Sequence, residues 1–324
     1  TENESAPTVT LSTSATSIAE NAGSSLTLTA TLSVATTADV TVGISTSGTG
    51  TEGTDYGTIS DITISAGDTT GTASFTPTDD SVYEGDETGV VAISTVSGGS
   101  ATEDGTQSVT ITITENESSP TITLATSASS IAENAGSSLT LTATSSVVAD
   151  EDITVTINTS GTGTEGTDYS TISDITISAG DTTGTASFTP SDDSIYEGNE
   201  TGIVAIDSVS GADAAESGSQ SVTITITEND SSPTITLATS ATSIAENAGT
   251  SLTLTATSSI AADEDITVVI DTSGTGIEGT DYSTISDITI SAGATTGTAT
   301  FTPTDDSVYE GNETGIVAID SVSG

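Results

Sequence analysis

Ser25-Leu26-Thr27-Leu28-Thr29-Ala30-Thr31-Leu32 alternates an aliphatic residue with a threonine along nearly its whole length. In extended chain successive side chains point to opposite sides, so Leu26, Leu28 and Ala30 share one face and Thr27, Thr29 and Thr31 the other. That pattern fits a strand with one face in a core and one in water. Working outward, comparable runs bounded by Gly, Asp and Asn give candidate strands at 8–13, 25–32, 40–46, 58–64, 70–76, 88–96 and 107–114. Seven short strands in about 110 residues predict an all-β, immunoglobulin-like sandwich. The single Phe75 and the two tyrosines, Tyr56 and Tyr83, are expected in that core or at its rim.

The pattern recurs with a fixed period. Pro7, Pro120 and Pro233 are 113 residues apart, as are Glu20, Glu133 and Glu246, and Phe75, Phe188 and Phe301. A unit of that length is domain-sized, so each copy is expected to have its own core. Residues 1–5 read as the tail of a preceding repeat, because Thr1-Glu2-Asn3-Glu4 matches 114–117. Residues 6–118, 119–231 and 232–324 read as tandem repeats. The third copy stops at Gly324, the counterpart of Gly98 and Gly211, and so lacks a last strand. The chain therefore reads as a stretch of a longer array.

The 324 residues carry 47 Asp and Glu against no Lys, Arg or His, a formal charge of −47. Without a side-chain cation nothing neutralises phosphates, so nucleic acid and anionic lipid are not expected partners. No stretch approaches the roughly 20 apolar residues of a membrane span, so direct insertion is not expected either. The absence of Cys, His and Lys removes disulfides, thiolate and imidazole chemistry, Schiff bases and Lys–Asn crosslinks. Acidic composition often marks disorder. Here only 15% of residues are charged, 32% are hydrophobic, and the acids cluster between the strand runs.

Strand parity turns those clusters into one. In an alternating path, the connections after strands one, three and five and the exit of strand seven lie at the same end of the sandwich. Glu20 follows the first strand and Asp55 the third; Asp79, Asp80, Glu84 and Glu87 follow the fifth, and Glu115 and Glu117 leave the seventh. Two carboxylates about 4 Å apart repel by about 4 kcal/mol at an effective dielectric near 20. Eight of them need protons or a cation. All-oxygen ligands with several carboxylates match Ca²⁺ better than Mg²⁺. Asp39, Asp61, Asp68, Glu103 and Asp104 fall outside this set and read as solvated charge.

The motifs Ala19-Glu20-Asn21, Gly53-Thr54-Asp55-Tyr56, Asp79-Asp80 with Glu84-Gly85-Asp86-Glu87, and the acids after Ile111-Thr112-Ile113-Thr114 resemble the Calx-beta domain in all three copies. The resemblance implies a seven-stranded sandwich with Ca²⁺ at the pole where the chain exits. Position by position it implies ligands Glu20, Asp55, Asp79, Asp80, Glu84, Glu87, Glu115 and Glu117 in the first copy. In the second these become Glu133, Asp168, Asp192, Asp193, Glu197, Glu200, Glu228 and Asp230, and in the third Glu246, Asp281, Asp305, Asp306, Glu310 and Glu313. The exit run Glu-Asn-Glu or Glu-Asn-Asp departs from the consecutive Asp common in the family, and Asp86 becomes Asn199 and Asn312. Two to four ions per pole are expected.

Together these readings point to a non-enzymatic, calcium-rigidified repeat segment of a bacterial adhesin, surface protein or extracellular filament. Its expected partners are neighbouring repeats, with self-association into fibres a further option. A calcium-sensing regulatory module would need few, divergent domains and a coupled effector. An ice-binding surface would exploit the Thr-x-Thr runs, which solvent-facing strand positions also explain. A glycosidase would use paired carboxylates, yet one active site would hardly be copied in every repeat.

Overall fold

The computed structural model describes residues 5–324, so the match of Thr1-Glu2-Asn3-Glu4 to the exit segments lies outside the described residues. In the first repeat the strands are β1 (Thr8–Thr13), β2 (Ser17–Ala19), β3 (Leu26–Leu32), β4 (Val40–Gly48), β5 (Ile62–Ile64), β6 (Thr70–Phe75), β7 (Val82–Tyr83), β8 (Glu87–Ser97), β9 (Thr102–Glu103) and β10 (Ser108–Thr114). They form a four-stranded sheet, β6-β3-β1-β9, and a five-stranded sheet, β2-β10-β8-β4-β5. The second repeat reproduces both sheets.

The octapeptide at 25–32 behaves as its alternation requires. Leu28, Ala30 and Leu32 are buried while the threonines between them are not, and β3 pairs antiparallel with both β1 and β6. Val9, Val40, Val42, Ile62, Ile64, Val91 and Ile111 complete an aliphatic core around the stacked rings of Tyr56 and Phe75, whose centroids lie 4.6 Å apart. Gly89 lies against this pair: a Cβ there would sit 2.7 Å from the Phe75 ring.

The first strand runs further than its sequence pattern indicates. After Thr13 the chain crosses to the other sheet, where β2 pairs parallel with β10 through Ser17↔Thr112 and Ala19↔Thr114. In contrast, 58–64 is a strand only over Ile62–Ile64. Part of the reason is Glu52, whose carboxylate accepts the Ile59 N–H at 2.7 Å and the Thr46 hydroxyl at 2.7 Å. The backbone donor at Ile59 is thus spent on a loop acceptor rather than a neighbouring strand.

Three acids read as solvated charge also serve as backbone acceptors, Asp39 and Asp61 from exposed positions. Asp61 takes the Ile44 N–H at the bulge between β4 and β8, Asp39 takes the Ala66 N–H, and Glu103 takes the Gln107 N–H. A bulge leaves an amide outside the ladder, and a short acidic side chain supplies its missing partner.

Tyr83 does not pack in its own repeat's core. It packs against the core of the second repeat, and β7 pairs parallel with Val148–Ala149 through Val82↔Val148 and Ala149↔Tyr83. The same pairing joins Ile195–Tyr196 to Ala261–Ala262. In the third repeat the counterpart Tyr309 is 97% exposed and Val308-Tyr309 is not a strand. That repeat has two three-stranded sheets among the described residues; the stretch 243–245, the counterpart of β2, is not a strand and leads into a short 3-10 turn, Glu246–Ala248. Among the described residues neither 243–245 nor Val308-Tyr309 has a strand beside it to pair with.

Gly89→Ala is expected to overpack the Tyr56–Phe75 stack and cost about 1–3 kcal/mol. That should lower the melting temperature of the first repeat by roughly 5 to 20 °C in scanning calorimetry. Gly57→Ser, a residue already present as Ser170 and Ser283, should leave it unchanged.

Candidate metal centre

The strand directions bring the acids to one pole. Gly48 at the end of β4 pairs with Gly89 near the start of β8, Leu26 at the start of β3 pairs with Phe75 at the end of β6, and Ile113 near the end of β10 pairs with Glu87. The loops after β2, β4 and β6 and the exit from β10 therefore open on the same side. Glu20 is only 6% exposed and its Oε1 accepts the Asp80 N–H at 3.2 Å; Asp55 accepts the Thr51 N–H at 2.5 Å. Asp80 in turn accepts the Val82 N–H at 2.7 Å.

Two groups of carboxylate oxygens result, each with its atoms within 4.8 Å of one another: Glu20 with Glu115 and Glu117, and Asp55 with Glu84 and Glu87. The second repeat sets Glu133 with Asp193 and Glu197, and Asp168 with Glu197 and Glu200; the third sets Glu246 with Asp306 and Glu310. Asp79 acts electrostatically on Glu117, and Asp192 accepts the Asn229 side-chain N–H at 3.2 Å. Asp281 accepts the Ile277 N–H at 2.7 Å and raises Glu313, while Asp305 lies in the loop after Thr296–Phe301.

Glu115 has a different character from its neighbours. Its Oε2 accepts the N–H groups of Glu84 and Gly85 at 2.7 and 3.0 Å, and its Oε1 those of Asn116 and Glu117 at 2.7 and 2.8 Å. Gly85, at φ +72°, supplies the left-handed backbone of this acidic loop. Burial pushes the Glu115 carboxyl up, but these N–H donors outweigh it and hold the pKa below the ordinary value. Glu228 is held down in the same way, with N–H bonds from Glu197, Gly198 and Asp230. These glutamates tie the acidic loop to the exit strand as well as contributing charge.

The other glutamates are pushed up. Burial, then the charges of neighbouring acids, raise Glu84 and Glu87 from 4.5 to about 7, and Glu197 and Glu200 likewise. Glu20 is also raised to about 7, by burial and by Glu115, Glu117 and Asp80 against the opposing Asp80 N–H bond. Glu133, Glu117, Asp230, Glu310 and Glu313 shift upward for the same leading reason, burial. Glu117 Oε2 and Asp230 Oδ2 are buried with no hydrogen-bond partner among the described residues. A buried carboxylate oxygen lacking any donor is what a bound cation would satisfy, and the donor set is oxygen throughout, so the residues present fit a calcium-type ion.

Sequence parity missed one pair of acids. Asp150 donates its backbone N–H to the Tyr83 carbonyl at 3.3 Å, and its charge acts on Glu87 across the joint. Asp263 stands in the same relation to Tyr196 and Glu200. The signal was present in the repeat comparison: the second and third copies read Asp-Glu-Asp at 150–152 and 263–265, where the first reads Thr37-Ala38-Asp39.

The fold is a tandem array of β-sandwiches, each with an acidic pole. A family model for the Calx-beta domain matches residues 2–117, 115–230 and 228–324, and the chain belongs to that family. Among solved structures, calcium binding domain CBD12 of CALX1.1 is 14% identical at a TM-score of 0.28, covering 65% of this chain and 96% of its own. Invasin, a bacterial integrin-binding protein, is 16% identical at 0.31, covering 97% of this chain and 57% of its own. The Yersinia pseudotuberculosis adhesin InvE is 16% identical at 0.31, covering 67% and 58%. Comparison with curated protein sequences gives no match.

The raised carboxyls fix the sign of the pH dependence. The folded state holds protons that the unfolded chain releases near pH 4.5, so their stabilising contribution is fully present below that value and is lost as pH rises through about 7. In chelator, urea midpoints are therefore expected to fall between pH 5 and pH 8. Saturating calcium should flatten or reverse that trend.

Proposed function

We propose that this chain is a calcium-rigidified spacer segment of a secreted or cell-surface bacterial protein of the adhesin or filament type. The observation that carries the reading is the pair of carboxylate groups at each complete pole, with buried oxygens left without donors at Glu117 and Asp230. Calx-beta membership supports calcium as the ion. The chain offers no cation of its own, so a divalent ion from solution is the neutralising charge.

Catalysis has no place in this reading. The acids that would serve as general acid or base face one another in metal-sized groups, repeated in every copy. The role is mechanical instead. Glu117 and the next strand, Thr121–Thr126, are separated by three residues, Ser118, Ser119 and Pro120, too few for a flexible tether. Ions held by the exit acids bind the end of one sandwich to the start of the next. Extracellular modules hold Ca²⁺ at about 10⁻⁴ to 10⁻³ M. At ten times such a dissociation constant each ion adds about 1.4 kcal/mol, so two to four ions add about 3 to 6 kcal/mol per repeat.

Chelation with EGTA is expected to lower the melting temperature by roughly 10 °C or more and to make the array flexible in small-angle scattering. Unchanged melting and scattering curves would remove the calcium reading. Asp192→Asn with Asp193→Asn should loosen the joint between the second and third repeats while leaving the first joint stiff; two equally stiff joints in calcium would show that the pole does not govern the junction.

A further inference from the structure

We propose that the calcium site of each pole is completed across the joint, with Asp150 serving the Asp55–Glu84–Glu87 group and Asp263 serving Asp168–Glu197–Glu200. This rests on the calcium reading above and adds to it a ligand from the following repeat.

The backbone puts both residues in place. Pairing of Val82-Tyr83 with Val148-Ala149 fixes the residue that follows Ala149, and the Asp150 N–H closes on the Tyr83 carbonyl. The next residue in the first repeat's loop is Glu84 itself. Asp150 is exposed, but its backbone is thereby fixed one residue across from the Glu84 of the metal-sized group. No donor from another residue engages its carboxylate among the described residues, in contrast to Asp152, which accepts the Ala179 N–H at 2.8 Å. The second joint repeats the arrangement, with Ile195-Tyr196 on Ala261-Ala262 and the Asp263 N–H on the Tyr196 carbonyl.

The joint encloses a cleft of about 710 Å³ whose walls include Glu84 and Asp86 from the first repeat and Asp150 and Asp213 from the second; Glu151 lines it too, but its carboxylate accepts the Ala212 N–H at 3.4 Å. Tyr83 spans it, donating its hydroxyl to Asp213 at 3.1 Å. The other four carboxylates, facing one cleft from two repeats, oppose docking unless a cation lies between them. The strand pairing, the tyrosine packing and the acids would otherwise work against each other. A shared ion reconciles them, because the same charge that relieves Asp55 and Glu87 also attracts Asp150. The repeat comparison shows Asp at both joints, at 150 and 263, where the first copy has Thr37.

The test titrates calcium into the full chain by calorimetry, alongside small-angle scattering, for the wild type, Asp150→Asn with Asp263→Asn, and Glu151→Gln with Glu264→Gln. The Asp-to-Asn chain should lose or weaken at least tenfold one class of ion per joint and become flexible at calcium levels that keep the wild type extended. The Glu-to-Gln chain, with the same charge removed one residue on, should keep that ion class. An unchanged isotherm for Asp150→Asn with Asp263→Asn overturns the proposal, and so does equal weakening by Glu151→Gln with Glu264→Gln, which would mark a general field effect. A wild-type chain that takes up no calcium fails the underlying reading instead, and the two failures are thereby distinct.

Discussion

Repulsion among carboxylates at the poles is the constraint around which this chain is organised. A sandwich with strands of alternating direction sends alternate connections to the same end, and here those connections carry the acids. With no side-chain cation available, the protein has three means of holding the cluster: backbone N–H donors, protons and ions from solution. Glu115 and Glu228 use the first, each gathering N–H groups from the acidic loop and the exit segment. Glu84 and Glu87, raised to about 7 by burial and by neighbouring acids, would take up protons where no ion is bound. The orphaned oxygens of Glu117 and Asp230 are left for the third.

The sandwich core tolerates this crowded end because it is self-sufficient elsewhere. Aliphatic side chains from both sheets close on the Tyr56–Phe75 stack, which recurs at 4.6 Å in the other repeats as Tyr169–Phe188 and Tyr282–Phe301. The ring pair lies just beneath the pole, with Tyr56 next to Asp55. The hydrophobic centre and the charged end are thus joined by a single dipeptide, and displacement of one moves the other.

Long alternating runs such as 25–32 and 107–114 were legible because period-two patterning identifies a half-buried strand without knowledge of its neighbours. The short strands β2, β7 and β9 were not, since two or three residues cannot display a period and exist as strands only through a partner. The third repeat makes this visible: among the described residues 243–245, the counterpart of β2, and Val308-Tyr309 have no strand beside them and are not strands. The gathering of acids at one pole followed from strand parity. Asp150 and Asp263 escaped that argument because they belong to the opposite end of the next sandwich. The acceptor role of Asp39, Asp61 and Glu103 escaped the sequence because an acid that accepts a bulge or turn amide looks like any surface charge.

The pairing of Tyr83 with Ala149 and of Tyr196 with Ala262 occurs at equivalent positions one period apart. A joint repeated without change applies the same rotation and translation at every step. An array built this way traces a helix whose pitch is set by one angle, and a slight change at a single type of joint is multiplied along the thread. Any small adjustment at the tyrosine bridge would therefore appear as a large change in the reach and curvature of the array.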